Sequence, residues 1–557
     1  MVVLRPVSEF GHAPPPQTPY SIITNIPGWD LLHSIREGDM SSLARLVHIY
    51  PRFSPTHFAA RLGQEVAKKI GREGMGCMVY LNPIMWKYTA GHVTREQRGV
   101  HGIKAEDVTF KVIDVAGHRV YAVLFEPQHE KALMLSWGTP GIGISIRGAE
   151  CLLKQLHTMM EVPCDASDPP EPTWTPEGPA HQALRQRIIT FLHRAAIDPE
   201  KVQCKTKDVF LYPSGMGAFF HTKNLIQGYR PGTNVELGIV FHNTHELLQE
   251  ESLDGWKHIG KVDKNAIDSM EAWLEEEAKE GRKVSFAIVE FPGNPTLETL
   301  DLHRLKQLSQ KYGFVLIVDD TIAGFGNVDV LAYSDIQLTS LTKSFSGKSN
   351  VLGGSIVLNP LSPHYSGLFP RFARAHHNEL FVADAEVLLA NSEDFLARTC
   401  RLNHNAEVMA NFLHKTIGEH DSPITRVHYP SLLSSKPEYD VFKRPSMPEL
   451  PEPGYGCLLT VDFESMGIAK AFYDRCGFYP SPHLGGHVTI MLPYNMFRLG
   501  KEPAERAKLR ELGVKEESVR ISAGLEDVRD LIDTLKDALV AATRAKQNSR
   551  DDKNGTE

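Results

Sequence analysis

The feature that most constrains this chain is the stretch from about residue 205 to 390, where short apolar runs alternate with helical patterns. The runs are VELGIVF (235–241), VSFAIVEF (284–291), VLIVDD (315–320), DIQLTSLTK (335–343) and GGSIVLN (353–359). Amphipathic segments such as EAWLEEEAKEGR and LHRLKQLSQKYG separate them. Strands that are apolar on both faces need cover on both, and crossover helices supply it, so the pattern predicts an α/β domain on a mainly parallel sheet. Ligand-binding groups in such sheets gather beyond the carboxyl ends of the strands. Glu290, Asp319 and Lys343 all fall there.

The remaining sequence divides around this unit. Residues 1–75 read as an N-terminal arm that folds only against something else, followed by a helix in SPTHFAARLGQEVAKKIG with Ser54 as a candidate N-cap and Gly71 as its stop. Residues 76–204 form an insertion to which no chemistry is assigned. Within it VTFKVIDVAGHRVYAVLFE predicts a hairpin around Ala116 and Gly117, and SWGTPGIGISIRGAECLLKQL reads as a strand-to-helix turn. That turn lacks both the GK[ST] ending of a P-loop and the glycine spacing of a dinucleotide fingerprint. A large domain at 205–390 is followed by a smaller α+β domain at 391–545, closing with a helix that places Leu525, Val528, Leu531, Ile532, Leu535 and Leu539 on one face. The polar tail, 546–557, reads as disordered.

Composition removes several classes of function. Sixty Lys and Arg against 68 Asp and Glu give a net charge of −8, which offers no basic footprint for nucleic acid. No apolar run approaches the roughly 20 residues of a membrane span. The beginning of the chain carries no secretory pattern, so the expected location is the cytoplasm. Seven scattered cysteines without a CxxC pair predict neither a disulfide framework nor a zinc site, and no metal is expected.

The chemistry is concentrated in VLIVDDT and SLTKSFSGKSNVLGG. A lysine flanked by hydroxyls and glycines can condense with an aldehyde cofactor, while a carboxylate keeps the cofactor's ring nitrogen protonated. The hydroxyls of Ser340 and Thr342 are spaced to reach a phosphate. With its other motifs, the chain resembles the Cys/Met-metabolism family of pyridoxal 5′-phosphate (PLP) enzymes, of fold type I, and within it the long fungal cystathionine γ-synthases. The resemblance implies that Lys343 of the SxTK string (Ser340, Leu341, Thr342, Lys343, with Gly347 after it) holds PLP and moves protons between Cα and Cβ. It implies Asp319 as the partner of the ring nitrogen, and Ser214, Gly215, Met216 and Gly217 of YPSGMGA as the phosphate turn at a helix N-terminus. Glu290 and Asn294 match E-x-P-x-N-P, Asn294 touching both cofactor and substrate. Arg520 in VRISAGLED matches the clamp for the substrate α-carboxylate. Tyr50 and Arg52 match a Tyr-x-Arg pair that in relatives reaches the neighbouring subunit's phosphate, implying a homodimer or homotetramer with shared sites.

Three positions depart from the family pattern. Phe241 stands where the ring-stacking tyrosine is expected, with Thr244 kept and His242 or His245 as gapped alternatives. Asp320 replaces an asparagine, and His483 replaces the serine of the substrate loop. His376, His377 and Glu379 lack metal-motif spacing and read as structural. The resemblance implies γ-replacement on an O-acyl-L-homoserine through a vinylglycine-type intermediate, attacked by cysteine or by another sulfur or carbon nucleophile. The alternatives are a γ- or β-lyase, which shares every cofactor residue, and a non-catalytic PLP-binding scaffold.

Overall fold

A computed structural model describes residues 2–95, 102–500 and 502–554. It holds three sheets. The first lies in the insertion: β1 (Gly76–Tyr80), β2 (Val108–Val115), β3 (His118–Phe125) and β4 (Met160–Val162) form an antiparallel sheet in the order β1-β3-β2-β4. Its hairpin pairs Val115 with His118 around Ala116 and Gly117, whose φ values of 51° and 79° are those of a tight primed turn.

The second sheet is the alternating unit. Its strands are β5 (Val209–Tyr212), β6 (Thr233–Leu237), β7 (Trp256–Ile259), β8 (Val284–Glu290), β9 (Val315–Asp319), β10 (Ile336–Thr339) and β11 (Gly354–Leu358), in the order β5-β11-β10-β9-β8-β6-β7. The run β10-β9-β8-β6-β7 is parallel, while β11 is antiparallel to both of its neighbours. Every residue of β8 is buried, as expected of a central strand covered on both faces. The third sheet belongs to the smaller domain: β12 (Ile424–His428), β13 (Leu458–Phe463), β14 (Tyr479–Pro480), β15 (Ile490–Leu492) and β16 (Ser518–Ser522), in the order β12-β13-β16-β15-β14.

Two continuous cores tie these units together. One side of the main sheet shares its core with the small domain and the final helix, where Leu531 and Leu535 are fully buried. The other side shares its core with the insertion, so Val112, Tyr121 and Leu124 pack in the same cluster as Phe219 and Phe286. The insertion is therefore fused to the catalytic unit rather than tethered to it.

Several details differ from the sequence reading. The helix after the arm starts at His57, with Thr56 rather than Ser54 in the cap position. The GIGIS turn follows a helix, Glu130–Gly138, not a strand, and leads into the helix Ile146–Lys154 capped by Ser145. The last helix runs from Val528 to Asn554 and so takes in most of the polar tail. Lys546 anchors this stretch, its ammonium donating to the Ser422 carbonyl and pairing with Glu464. The arm does fold against something, and that something is its own chain. Leu4 N donates to Thr534 Oγ1 at 2.9 Å, Arg5 pairs with Asp537 at 2.7 Å, and Ile26 N donates to the Pro480 carbonyl at 3.0 Å.

Ala116 holds a left-handed backbone in an exposed turn, which costs a side-chain-bearing residue about 1–2 kcal/mol and is only partly offset by the entropy a glycine would lose. Ala116→Gly should therefore stabilise the chain by about 0.5–1 kcal/mol. Denaturant unfolding checks this; a lower midpoint for the variant would contradict it.

Candidate active site

A cavity of about 950 Å³ opens beyond the carboxyl ends of β8, β9 and β10, walled by the arm, the main sheet and the small domain. On one side stands the N-terminus of the 15-residue helix Gly215–Tyr229. Ser214 caps it, accepting from Gly217 N at 2.9 Å. The turn is approached closely by its neighbours: a Cβ on Gly215 would lie 2.8 Å from the Ser340 Cβ, and one on Gly354 would lie 2.3 Å from the Ser214 carbonyl oxygen. A helix start with free backbone N–H groups, kept open by glycine, suits a phosphate. Met216 and Ser340 face the cavity with it.

Lys343 lies four residues beyond β10. Its Nζ is 3.2 Å from His483 Nδ1 and 3.3 Å from the Tyr50 hydroxyl, and sits over the Tyr50 ring at 4.8 Å. Burial pulls the amine below its ordinary value, favouring the neutral nucleophile. Burial pushes the Tyr50 phenol up, but the charges of Lys343 and Arg52 outweigh it and leave the phenol below its usual range. Burial, with Lys343 and Arg520, holds His483 well below 6.5, so its imidazole is neutral and Nδ1 accepts from the lysine. The loop carrying Lys343 is pinned from outside by Arg398, which donates to the Ser344 and Phe345 carbonyls at 2.8 and 3.0 Å. Gly347, at φ 67°, leaves room for that guanidinium: a Cβ there would collide with it.

Two carboxylates end adjacent strands, Glu290 of β8 in register with Asp319 of β9. Glu290 organises the wall, accepting from Phe241 N at 2.6 Å and from Asn294 N at 3.0 Å. Asp319 accepts from Thr321 N at 2.9 Å, and the Thr321 side chain adds to that support. Burial lifts the Asp319 pKa to about 6, and a cationic ring nitrogen set against it would restore the charge. Asp320 points away, accepting from Gln337 and Thr339.

On the substrate side, Arg520 of β16 donates to Asn294 Oδ1 at 3.0 Å and to the His483 carbonyl at 3.4 Å, with its guanidinium 4.1 Å over the Tyr494 ring. Tyr494 in turn meets His242 Nδ1 at 3.0 Å through its hydroxyl. The arrangement leaves Arg520 buried without a carboxylate, ready for a ligand's.

Most residues singled out from the sequence meet here: Tyr50, Arg52, Ser214, Gly215, Met216, Phe241, Asn294, Asp319, Ser340, Lys343, His483 and Arg520 all line the cavity. Thr342 does not. Its hydroxyl donates to the Gly353 carbonyl at 3.1 Å and accepts from Gly353 N at 3.0 Å, so it staples the loop instead of reaching a phosphate. Of the three candidates for the stacking position, Phe241 and His242 line the cavity. His245 turns away to Glu236 at 2.9 Å, a buried carboxylate that also receives Trp256 Nε1. His376 bonds the Leu211 carbonyl, His377 stacks on Trp174, and Glu379 pairs with Asn82 and His221, all outside the cavity.

The largest departure concerns Tyr50 and Arg52. They reach Lys343 and Phe241 of their own chain, Arg52 lying 5.4 Å over the Phe241 ring and bonding Asn243. The insertion seats them: Arg52 Nε and Nη2 donate to the Gly138 carbonyl at 3.1 and 3.0 Å, Trp137 Nε1 donates to the Pro51 carbonyl at 2.7 Å, and Ser214 Oγ donates to the Gly141 carbonyl at 2.6 Å. These contacts all lie within one chain. Tyr494, Arg498, Arg398 and these carbonyls escaped sequence reading, and nothing in GTPGIG signals that its backbone buttresses a turn 73 residues away.

With this geometry in place, the comparisons are informative. Residues 201–540 match the model of the Cys/Met metabolism PLP-dependent enzyme family, and the chain belongs to it. A cystathionine gamma-synthase-like protein of Aspergillus thermomutatus is 30% identical over 552 residues, 95% of this chain and 94% of its own. An alanine racemase of Aspergillus violaceofuscus is 34% identical over 441 residues, 76% of this chain and 74% of its own. The crystal structure of cystathionine gamma synthase from Xanthomonas oryzae pv. oryzae shares the fold, with a TM-score of 0.52 at 20% identity over 66% of this chain and 87% of that one. PLP is the cofactor of this family, and the cavity fits it: an amine held below its ordinary value, a carboxylate whose charge burial disfavours, an aromatic face and a helix N-terminus surround one space. Among the described residues no helix is long and apolar enough to cross a membrane.

Two outcomes follow from the site. Because burial depresses the Lys343 amine, PLP capture by the cofactor-free protein should rise with pH to a midpoint below 10.5, read from the visible absorbance band; Lys343→Ala should show no such band. Because Tyr50 and Arg52 stand against Lys343 and Phe241 of their own chain, an Arg52→Ala protein co-expressed with a Lys343→Ala protein should recover no activity. Restored activity in the mixture would mean the sites are shared between chains.

Proposed function

We propose that this enzyme performs γ-replacement on an O-acyl-L-homoserine, exchanging the acyloxy group for a sulfur or carbon nucleophile. The observation that carries the reading is the meeting of two proton-bearing groups, Tyr50 and His483, within 3.3 Å of the Lys343 amine. Replacement at Cγ requires proton removal at both Cα and Cβ, and then a return. When bound, PLP supplies the electron sink for the carbanions. Arg520, backed by Tyr494 and Asn294, holds the α-carboxylate and fixes which hydrogen faces Lys343. Lys343 takes a proton first from Cα and then, freed of that one, from Cβ as the acyloxy group leaves Cγ with its bonding pair, and protons return to both carbons once the nucleophile has added at Cγ. Tyr50, whose phenol is held below its usual range beside the lysine, holds the first proton, and His483, 3.2 Å from the same amine, orients it. Tyr50, Arg52 and Phe53 close the arm over the cavity and limit water, which favours addition of a nucleophile over hydrolysis.

Cystathionine γ-synthase-like relatives support γ-substitution chemistry broadly, and His483 in place of serine beside the lysine supports a nucleophile other than cysteine. The test is mass spectrometry after mixing PLP-loaded protein with O-acetyl-L-homoserine, alone and with cysteine, sulfide or a β-keto acid. A γ-substituted amino acid with release of acetate is expected. Lys343→Ala should lower its rate by about 10³-fold or more, and His483→Ser by about 10²-fold. Ammonia and 2-oxobutanoate in every tube would instead make the protein a lyase, and racemised alanine without replacement would assign it a simple Cα proton exchange.

A further inference from the structure

Three guanidinium groups line the cavity, and among the described residues none lies within 4.0 Å of a carboxylate oxygen. Arg52 and Arg520 have neutral acceptors, described above. Arg498 has none. It ends the short helix Tyr494–Arg498, with its guanidinium 4.0 Å from the Phe53 ring centroid and 4.8 Å from that of Phe497, and its Nε is buried without an acceptor. Glu246 draws electrostatically on both Arg52 and Arg498 and accepts a hydrogen bond from Asn243, but it lies beyond ion-pair distance of either guanidinium. Two aromatic faces compensate a desolvated cation only in part. A half-buried cation facing a ligand cavity, its Nε shielded and no carboxylate of the described residues in ion-pair contact with it, is placed to receive one.

The reaction proposed above accounts for two anions, the cofactor phosphate beside Arg52 and the α-carboxylate at Arg520. A third cation implies a third anion. We propose that Arg498 receives a second carboxylate of the reacting molecules, carried by the acyl leaving group or by the nucleophile. The placement suits this role. Tyr494, which supports Arg520, and Arg498 stand one turn apart on the same short helix, so one element sets the two guanidinium groups beside the same cavity. Guanidinium on an aromatic shelf, with its N–H edge free, also suits planar two-point recognition of a carboxylate. The assignment of the other two anions rests on the γ-replacement reading, so the test includes a binding arm that does not.

In that arm, calorimetry compares L-2-aminoadipate with L-norleucine on the PLP-loaded enzyme; neither carries a leaving group. The wild-type protein should bind the former at least tenfold more tightly. Arg498→Gln should abolish the preference while leaving norleucine within twofold, and Arg498→Lys should keep part of it. In the kinetic arm, O-succinyl-L-homoserine is compared with the O-acetyl ester, and a β-keto acid with its methyl ester; the pair whose KM rises selectively in Arg498→Gln identifies which reactant carries the carboxylate. Equal losses for both members of every pair, no wild-type preference for aminoadipate, or weakened PLP binding in Arg498→Gln would each overturn the proposal. The last would make Arg498 a phosphate ligand. A preserved aminoadipate preference with no replacement product from any ester would sink the reaction reading and leave the Arg498 site standing.

Discussion

The site depends on positive charge held in a cleft that provides little negative charge in return. Lys343, Arg52, Arg520 and Arg498 share one cavity, and the two carboxylates within it, Glu290 and Asp319, are set behind it at strand ends. Burial pulls the lysine towards its neutral form and lifts both acids towards theirs, so the protein alone is poorly neutralised on both sides. An anionic cofactor with a cationic ring nitrogen relieves both imbalances at once. The surrounding structure is accordingly devoted to holding charges that do not attract one another: Arg398 pins the lysine loop, Glu290 ties two backbone N–H groups, and the Gly138 carbonyl seats Arg52.

Much of this was legible in the sequence, for identifiable reasons. The buried strands of the main sheet announce themselves because apolarity on both faces leaves few other folds, and Asp319 and Lys343 are conspicuous as polar residues where those runs stop. Residues whose part is local, such as the Ser214 cap, could be read with them. What could not be read is what depends on distant segments meeting. Thr342 sits in the motif yet spends its hydroxyl on Gly353, a partner 11 residues away across a turn. Arg498 lies in MLPYNMFRLG, which has no periodic signal, and its meaning comes from Phe53, 445 positions earlier in the chain.

The arm and the insertion are one device. In the resemblance drawn from sequence, Tyr50 and Arg52 imply a neighbouring subunit. Here the insertion's Trp137, Gly138 and Gly141 hold them against their own Lys343, and a continuous core behind those residues joins the insertion to the main sheet. A segment with no chemistry of its own thereby sets the geometry of a site it barely lines.

The same device governs when the site can exist during synthesis. Tyr50 meets Lys343 across 293 residues, and the arm's first anchor, Leu4 on Thr534, spans 530. Closing contacts of that range is slow, and nothing can close them before both ends are available. On the ribosome the arm emerges long before the helix that anchors it, so the large domain can fold with its pocket still open. The interval in which that pocket gapes is also the interval in which cofactor can enter unhindered.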